Sequence, residues 1–423
     1  MEPDVAAREG LCLAVQSGKI LELLTKEQAL QRYVPREIHE RPHHVLMPGL
    51  VNAHTHAAMS LMRGFADDLP LMEWLREKVW PTELRFAAPE YVEDGVRLAV
   101  AEMLRGGITC FADMYFFPQS TARVAAESGM RLVAGMIALE FSTPWAVDAG
   151  EYISKGLAVH DALRFEPLAS TMFAPHAPYT VSDDTLKRIR QLADQLDVPV
   201  QMHVHETAGE VDDALSETGQ RPIRRLDDLG LINPGLMAVH ATQLTAEEIE
   251  LLALNGCSVI HCPRSNLKLA SGTCPVADLL AAGVNVALGT DGAASNNRLD
   301  LWAEMDTAAL LGKLVAGDAT ALPAPEMLKM ATINGARALG LEDTIGSLEA
   351  GKSADMICVR LDTSTTRPMH DPVSQLVYAA GREHVTDAWV AGEHLLEDGA
   401  LTRMDPATIC DRADQWANRM HAS

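Results

Sequence analysis

The side chains with most chemical promise sit in two short histidine motifs. Pro48-Gly-Leu-Val-Asn-Ala-His54-Thr-His56 ends an apolar run with two histidines two positions apart. Alternate residues of an extended strand point the same way, so His54 and His56 can present two imidazoles to one side. Neutral imidazole nitrogen ligates zinc and iron well. A His-x-His pair alone is weak evidence, because two surface histidines would read the same; the apolar run before it favours ligation. Met202-His203-Val-His205-Glu206 is the second motif. Its His203 reads as a ligand, whereas His205 shares that direction only if the strand continues and reads better as structural. A carboxylate such as Glu206, close to a metal site, can shuttle protons to and from an activated water. His240 closes the apolar run Leu236–Val239, and Asp291 follows Leu288-Gly-Thr. A lone aspartate after a strand is usually a cap, so Asp291 draws its weight from agreement with the histidines. Three protein ligands plus water, sometimes expanded to five positions, describe a catalytic zinc site, and such an ion brings the pKa of its water toward neutrality. We therefore expect one divalent metal per subunit, zinc first and iron or manganese next. Its expected ligands are His54, His56, His203 and Asp291, with Glu206, His240 and Asp291 handling protons in a hydrolytic reaction.

These groups need a scaffold that gathers the ends of many strands. Short apolar or β-branched runs alternate with helical patterns through the middle of the chain. Val45–Val51, Thr109–Met114, Arg131–Met136, Leu168–Phe173, Val198–Val204, Leu236–Val239, Cys257–Ile260 and Val284–Leu288 make eight strand candidates. Between them, stretches such as Asp184–Leu196 carry Leu186, Ile189, Leu192, Ala193 and Leu196 at helical spacing. Strands alternating with helices imply parallel βαβ units, and eight of them imply a TIM (β/α)8 barrel, whose chemistry lies where the strands end. His54, Asp113, His176, His203, His240, His261 and Asp291 all fall at such ends. Chance would explain one or two of these, not seven. The two ends of the chain read differently. Leu11–Val15, Asp355–Val359, Ala388–Val390 and Glu393–Leu396 are strand-like and punctuated by Gly18, Gly351 and Gly392. We expect a small β-sandwich domain formed by both termini, with residues 1–46 and 346–423 flanking a barrel over 47–345. Pro406–Ser423 reads as a terminal helix or tail.

With 423 residues, 48% of them hydrophobic, the chain can bury a sizeable core. A formal net charge of -23 opposes nucleic-acid backbones and anionic membranes and favours a neutral or cationic small-molecule substrate. The seven cysteines are scattered without a C-x-x-C pair, which reads as reduced thiols in a cytoplasmic protein. No signal-peptide pattern and no apolar stretch of about 20 residues is present. Whether the chain forms a homo-oligomer is left open.

On these motifs, together with Gly346-Ser-Leu-Glu-Ala-Gly-Lys-Ser-Ala-Asp355, the chain resembles the amidohydrolase superfamily over nearly its whole length. It lacks a strand-four lysine of the kind that bridges two metals in some members, which implies a mononuclear site. Within the superfamily, Trp80-Pro-Thr-Glu83, Ala174-Pro-His176-Ala-Pro-Tyr, His203-x-x-Glu206 and Gly289-Thr-Asp291-Gly-Ala-Ala-Ser295 resemble the 5-methylthioadenosine/S-adenosylhomocysteine deaminases. That resemblance implies that Glu83 binds the ribose hydroxyls, that His176 contacts the nucleoside and that Glu206 meets an adenine ring nitrogen. Ser295 joins Asp291 among the implied substrate contacts, as does Trp74, for which a place in a helix core competes. The implied reaction is zinc-dependent hydrolytic deamination of 5′-methylthioadenosine, with S-adenosylhomocysteine or adenosine as further substrates. Between Arg131 and Arg164, Lys155 is the only lysine or arginine, whereas the resemblance implies arginines there that hold the homocysteine carboxylate in some family members; the apolar Met136–Phe141 stretch suits a methylthio group better. The N-terminal part of the small domain also reads as one strand short of the family pattern. Competing readings are guanine or cytosine deamination, triazine dechlorination, and a catalytically inactive structural relative. The H-x-E with P-C-x-x-C pattern of cytidine-deaminase-type zinc sites is absent.

Overall fold

The computed structural model describes residues 7–422. Eight parallel strands lie side by side in chain order: Leu50–Thr55, Ile108–Asp113, Arg131–Ala138, Ala169–Pro175, Val200–Val204, Leu236–His240, Ser258–His261 and Asn285–Leu288. The last strand returns to the first, where the Asp291 amide donates to the His54 carbonyl at 3.1 Å. Asn52 rivets the same seam by accepting from the Thr290 amide at 3.0 Å and donating to Thr290 Oγ1 at 2.7 Å. The sheet is thus a TIM barrel. Val51, Ala53, Cys110, Ala112, Val133, Met237, Val239, Ile260 and Ala287 form one buried cluster inside it, and residues of opposite parity such as Leu132, Met202 and Val286 pack outward with the helices.

The apolar run Val45–Val51 is two strands, not one. His44–Pro48 pairs antiparallel with Met356–Arg360 in the small domain, and only Leu50–Thr55 enters the barrel. The turn falls at Gly49, where a Cβ would lie 2.0 Å from Thr109 Oγ1. The boundary between residues 46 and 47 therefore runs through a strand. Continuous apolar character hides a change of sheet, because the run Val45–Val51 carries apolar residues on both sides of the turn.

The small domain comprises a two-stranded sheet, Leu11–Gln16 with Lys19–Thr25, and a five-stranded sheet in the order Ala400–Leu401, Glu393–Glu397, Val385–Val390, Met356–Arg360, His44–Pro48. Asp355, the end of the Gly346–Asp355 motif, ties it to the barrel. Its carboxylate takes Arg131 Nε at 2.8 Å and Nη2 at 3.0 Å, and also the Ala391 amide at 2.8 Å. Helix Pro406–His421, capped by Asp405, returns to barrel helix Pro89–Arg105, where Asp94 accepts from Arg412 Nη2 at 2.7 Å and Trp416 Nε1 at 2.9 Å. Among the described residues no helix is long and apolar enough to cross a membrane.

Candidate active site

Side chains from several strand ends meet at one end of the barrel. His54 Nε2 and His203 Nε2 lie 3.2 Å apart. Asp291 Oδ1 is 3.5 Å from His54 Nε2 and 3.2 Å from His56 Nε2. His240 joins His54 and His203 within 4.8 Å. Strict alternation along the first strand would turn His54 away from the interior that Val51 and Ala53 face. The pairing with Ile108–Asp113 slips between Asn52 and Thr55, and this bulge re-aims the side chain. Left-handed backbone follows the fifth strand, closes the sixth and lies beyond the eighth: φ is +53° at His205, +74° at His240 and +61° at Asp291. Such a conformation is costly for residues with a Cβ and clusters at functional sites. It also ends the fifth strand after Val204, so His205 departs from His203; His205 is buried with Nε2 accepting from the Ile223 amide at 3.3 Å.

Each central imidazole is held by its far nitrogen. His54 Nδ1 lies 2.7 Å from Gln201 Oε1, His56 Nδ1 2.6 Å from the Met114 carbonyl, His203 Nδ1 2.7 Å from the His176 carbonyl, and His240 Nδ1 2.8 Å from Asn266 Oδ1. All four partners are oxygen acceptors, so each Nδ1 carries a proton and each Nε2 faces inward. Burial pushes His54, His203 and His240 down, toward neutrality. Burial lowers His56 as well, but the hydrogen bond and charge of Asp291 raise it to about 9. Buried Asp291 is held well below the usual carboxylate range, against burial, by His54 and His56. Inward imidazole nitrogens gathered around a carboxylate call for a cation, and the donor set of imidazoles with one carboxylate fits zinc. Asp291 Oδ2 is turned outward and accepts from Ser265 Oγ at 2.6 Å and Ser295 Oγ at 2.9 Å, which orients Oδ1 toward the histidines.

A cavity of about 270 Å³ opens over this centre, lined by His56, His176, His203, Glu206, His240, Asp291 and Ser295, and farther out by Trp74, Glu83 and apolar side chains. Glu206 Oε1 is 3.8 Å from His240 Nε2. Burial, reinforced by Asp291 and opposed by His56, pushes Glu206 up to about 8. Glu83, from helix Trp80–Phe86, is pushed by burial up to about 7 against the pull of Tyr115 and His56. Burial takes His176 down to about 3, so its ring is neutral, and its Nδ1 is 3.0 Å from Thr180 Oγ1. Every residue picked from the sequence as a site candidate lies at this centre or lines this cavity. Asp113 is a strand-end acid elsewhere: it accepts from the Ala57 amide at 2.7 Å and from Thr55 and Thr121. The supporting partners Gln201, Asn266, Ser265 and Met114 were not visible as site residues. Gln201 alone left a trace, two positions before His203 on the same strand.

Comparison with known proteins places these features in context. The amidohydrolase family model matches residues 45–395. A 5-methylthioadenosine/S-adenosylhomocysteine deaminase of Teredinibacter turnerae is 51% identical over 97% of this chain and 93% of its own length. One from Saccharophagus degradans is 46% identical over 98% and 93%. A crystal structure of an adenosine deaminase from Xanthomonas campestris with bound zinc superposes with a TM-score of 0.98 at 52% identity, covering 100% of this chain and 96% of that one. A zinc-complexed atrazine chlorohydrolase from Arthrobacter aurescens has a TM-score of 0.89 at 25% identity, over 96% and 94%.

Proposed function

We propose, for a chain that belongs to the amidohydrolase family and within it to the 5-methylthioadenosine/S-adenosylhomocysteine deaminases, that the preferred reaction is hydrolytic deamination of 5′-methylthioadenosine to 5′-methylthioinosine and ammonia. The enzyme is a metal-dependent aminohydrolase. We assign its divalent metal as zinc, held by His54, His56, His203 and Asp291. When bound, the ion supplies Lewis acidity and makes water a nucleophile at neutral pH.

The side chains of this chain handle the protons. Asp291 Oδ1 takes one proton from water as its oxygen bonds to C6 of adenine, and His240 Nε2 orients that water or takes the proton in its place. Glu206, kept protonated by burial, gives its proton to N1, so the C6 centre becomes tetrahedral with the ring charge neutralised. The proton taken from water passes to N6, the C6–N6 bond breaks, and N6 leaves as ammonia. Loss of the O6 hydroxyl proton to the Glu206 carboxylate then yields the 6-oxo inosine ring, which keeps its N1 proton, and restores the Glu206 acid. Glu83 faces the ribose and accepts hydrogen bonds from its vicinal hydroxyls; His176 and Ser295 line the nucleoside, and Trp74 the outer wall.

The observation that carries the choice of substrate is the outer wall. The cavity lining includes Trp74, Leu75, Trp80, Leu139 and Phe141, and among the described residues no lysine or arginine lines it. Lys155 is engaged by the Trp145 carbonyl at 2.5 Å and by Glu151 at 3.0 Å, and Arg131 by Asp355. A homocysteine carboxylate would be desolvated there without a cationic partner, whereas a methylthio group gains from apolar contact. Adenosine would present a hydroxyl to the same wall. Ammonia release from the three nucleosides tests this reading: kcat/KM should be highest for 5′-methylthioadenosine. A higher value for S-adenosylhomocysteine would overturn the substrate assignment, and no ammonia from any of them would overturn the reaction.

A further inference from the structure

Outside the active site, the described residues bring metal-ligating side chains together at one more place. One nitrogen each from His39 and His394 and a carboxylate oxygen of Glu397 lie within 4.8 Å of one another. None of the three lines the active-site cavity. Residues 394 and 397, three apart on strand Glu393–Glu397, would face opposite sides under strict alternation. The pairing with Val385–Val390 slips, however: Trp389 opposes His394 and Ala388 opposes Leu396, so Leu395 is absorbed in a bulge. Leu395 and Leu396 are both buried, while His394 is half-buried and Glu397 exposed. The bulge thus returns His394 and Glu397 to one outer side.

His394 is set up as a ligand would be. Its ring stacks on Trp389 with centroids 4.3 Å apart at 13°, and its Nε2 donates to Asp387 Oδ1 at 3.1 Å. That bond keeps the proton on Nε2 and leaves Nδ1 bare, the carboxylate–histidine arrangement that metal-ligating histidines commonly show. Asp387 is fully buried and takes both Arg41 Nε and Nη2 at 2.6 Å. His39 comes edge-on to the His394 ring at 5.0 Å and to Trp389 at 5.6 Å. Glu37, Asp387, Glu397 and Asp398 surround the position against Arg41, so the local charge is negative.

We propose that His39, His394 and Glu397 form a second metal site, for a divalent transition ion such as zinc or nickel, that pins the segment 33–43 to strand Glu393–Glu397 of the small sheet. Two imidazoles with one carboxylate select such ions over calcium or magnesium. The proposal is independent of the reaction assigned to the barrel. Calorimetric titration of nickel into full-length protein first stripped of metal and then given one equivalent of zinc per chain tests it, with wild type, His39→Ala, Glu397→Gln and the His39→Ala/His394→Ala double variant. One further equivalent should bind wild type, weaken about tenfold or more in each single variant, and vanish in the double variant, with ammonia release unchanged throughout. His39 lies on an exposed segment, so His39→Ala keeps the test decisive even where the double variant disturbs the sheet. Absence of a further equivalent in wild type, or equal binding in His39→Ala, would overturn the proposal.

Discussion

Each imidazole at the centre is fixed by an oxygen on its far side, and that arrangement determines what single substitutions should do. Gln201 is the one such partner that is a side chain also held elsewhere, donating to the Ala53 carbonyl at 2.8 Å. Gln201→Ala would free the His54 ring to take the other tautomer, and we expect metal affinity to fall about 10–100-fold, measured by competition with a chromogenic chelator. Glu206→Gln removes a proton donor while keeping shape, so kcat should fall about 10²–10⁴-fold at unchanged metal content and melting temperature. Retention of full turnover would show that another group protonates the ring. At this scale the sequence was most legible for the residues that gather at the barrel mouth. Histidine and aspartate at strand ends advertise themselves, while Gln201, Asn266 and Ser265 are ordinary polar residues whose meaning depends on what lies across the barrel.

Among elements, the placement of His54 depends on a bulge in its own strand and on the close approach of the last strand. A Cβ at Gly289 would lie 2.8 Å from His54 Cβ and 3.0 Å from His54 N. Gly289→Ala must therefore push the two strands apart, at a cost of about 1–3 kcal/mol for overpacking. We expect a lower melting temperature accompanied by weakened metal binding, because the displaced backbone carries a ligand; a variant that loses stability but binds metal normally would contradict that coupling. Eight strands and their order could be read from periodicity, and the turning point at Gly49 could not, since the strands on either side are equally apolar. The positive φ values at His240 and Asp291 were equally hidden, because neither residue type announces a left-handed conformation.

In the whole molecule, the small domain is latched to the barrel by buried charge. Arg131 is 5% exposed and depends on Asp355. Asp355→Ala would leave it unpaired, which typically costs about 3–5 kcal/mol, and thermal unfolding should shift down accordingly. Within the small domain, burial raises Asp387 but hydrogen bonds from His394, Arg41 and Thr386 outweigh it and hold the carboxyl well below the usual range. Its folded pKa is thus below the unfolded value of about 3.9, so its stabilising contribution is present above that value and is lost as pH falls through the folded one. The gap in melting temperature between wild type and Asp387→Asn should therefore be constant near neutrality and close below about pH 4. The central claim is that one metal at the barrel mouth, with Glu206 beside it, releases ammonia from 5′-methylthioadenosine. It is tested most directly by stripping the protein with a chelator and restoring zinc stepwise while measuring ammonia. The account predicts negligible release without metal and a linear rise that levels at one equivalent per chain, even where a further ion binds. Undiminished release from the stripped protein, or none at any zinc loading, would contradict it.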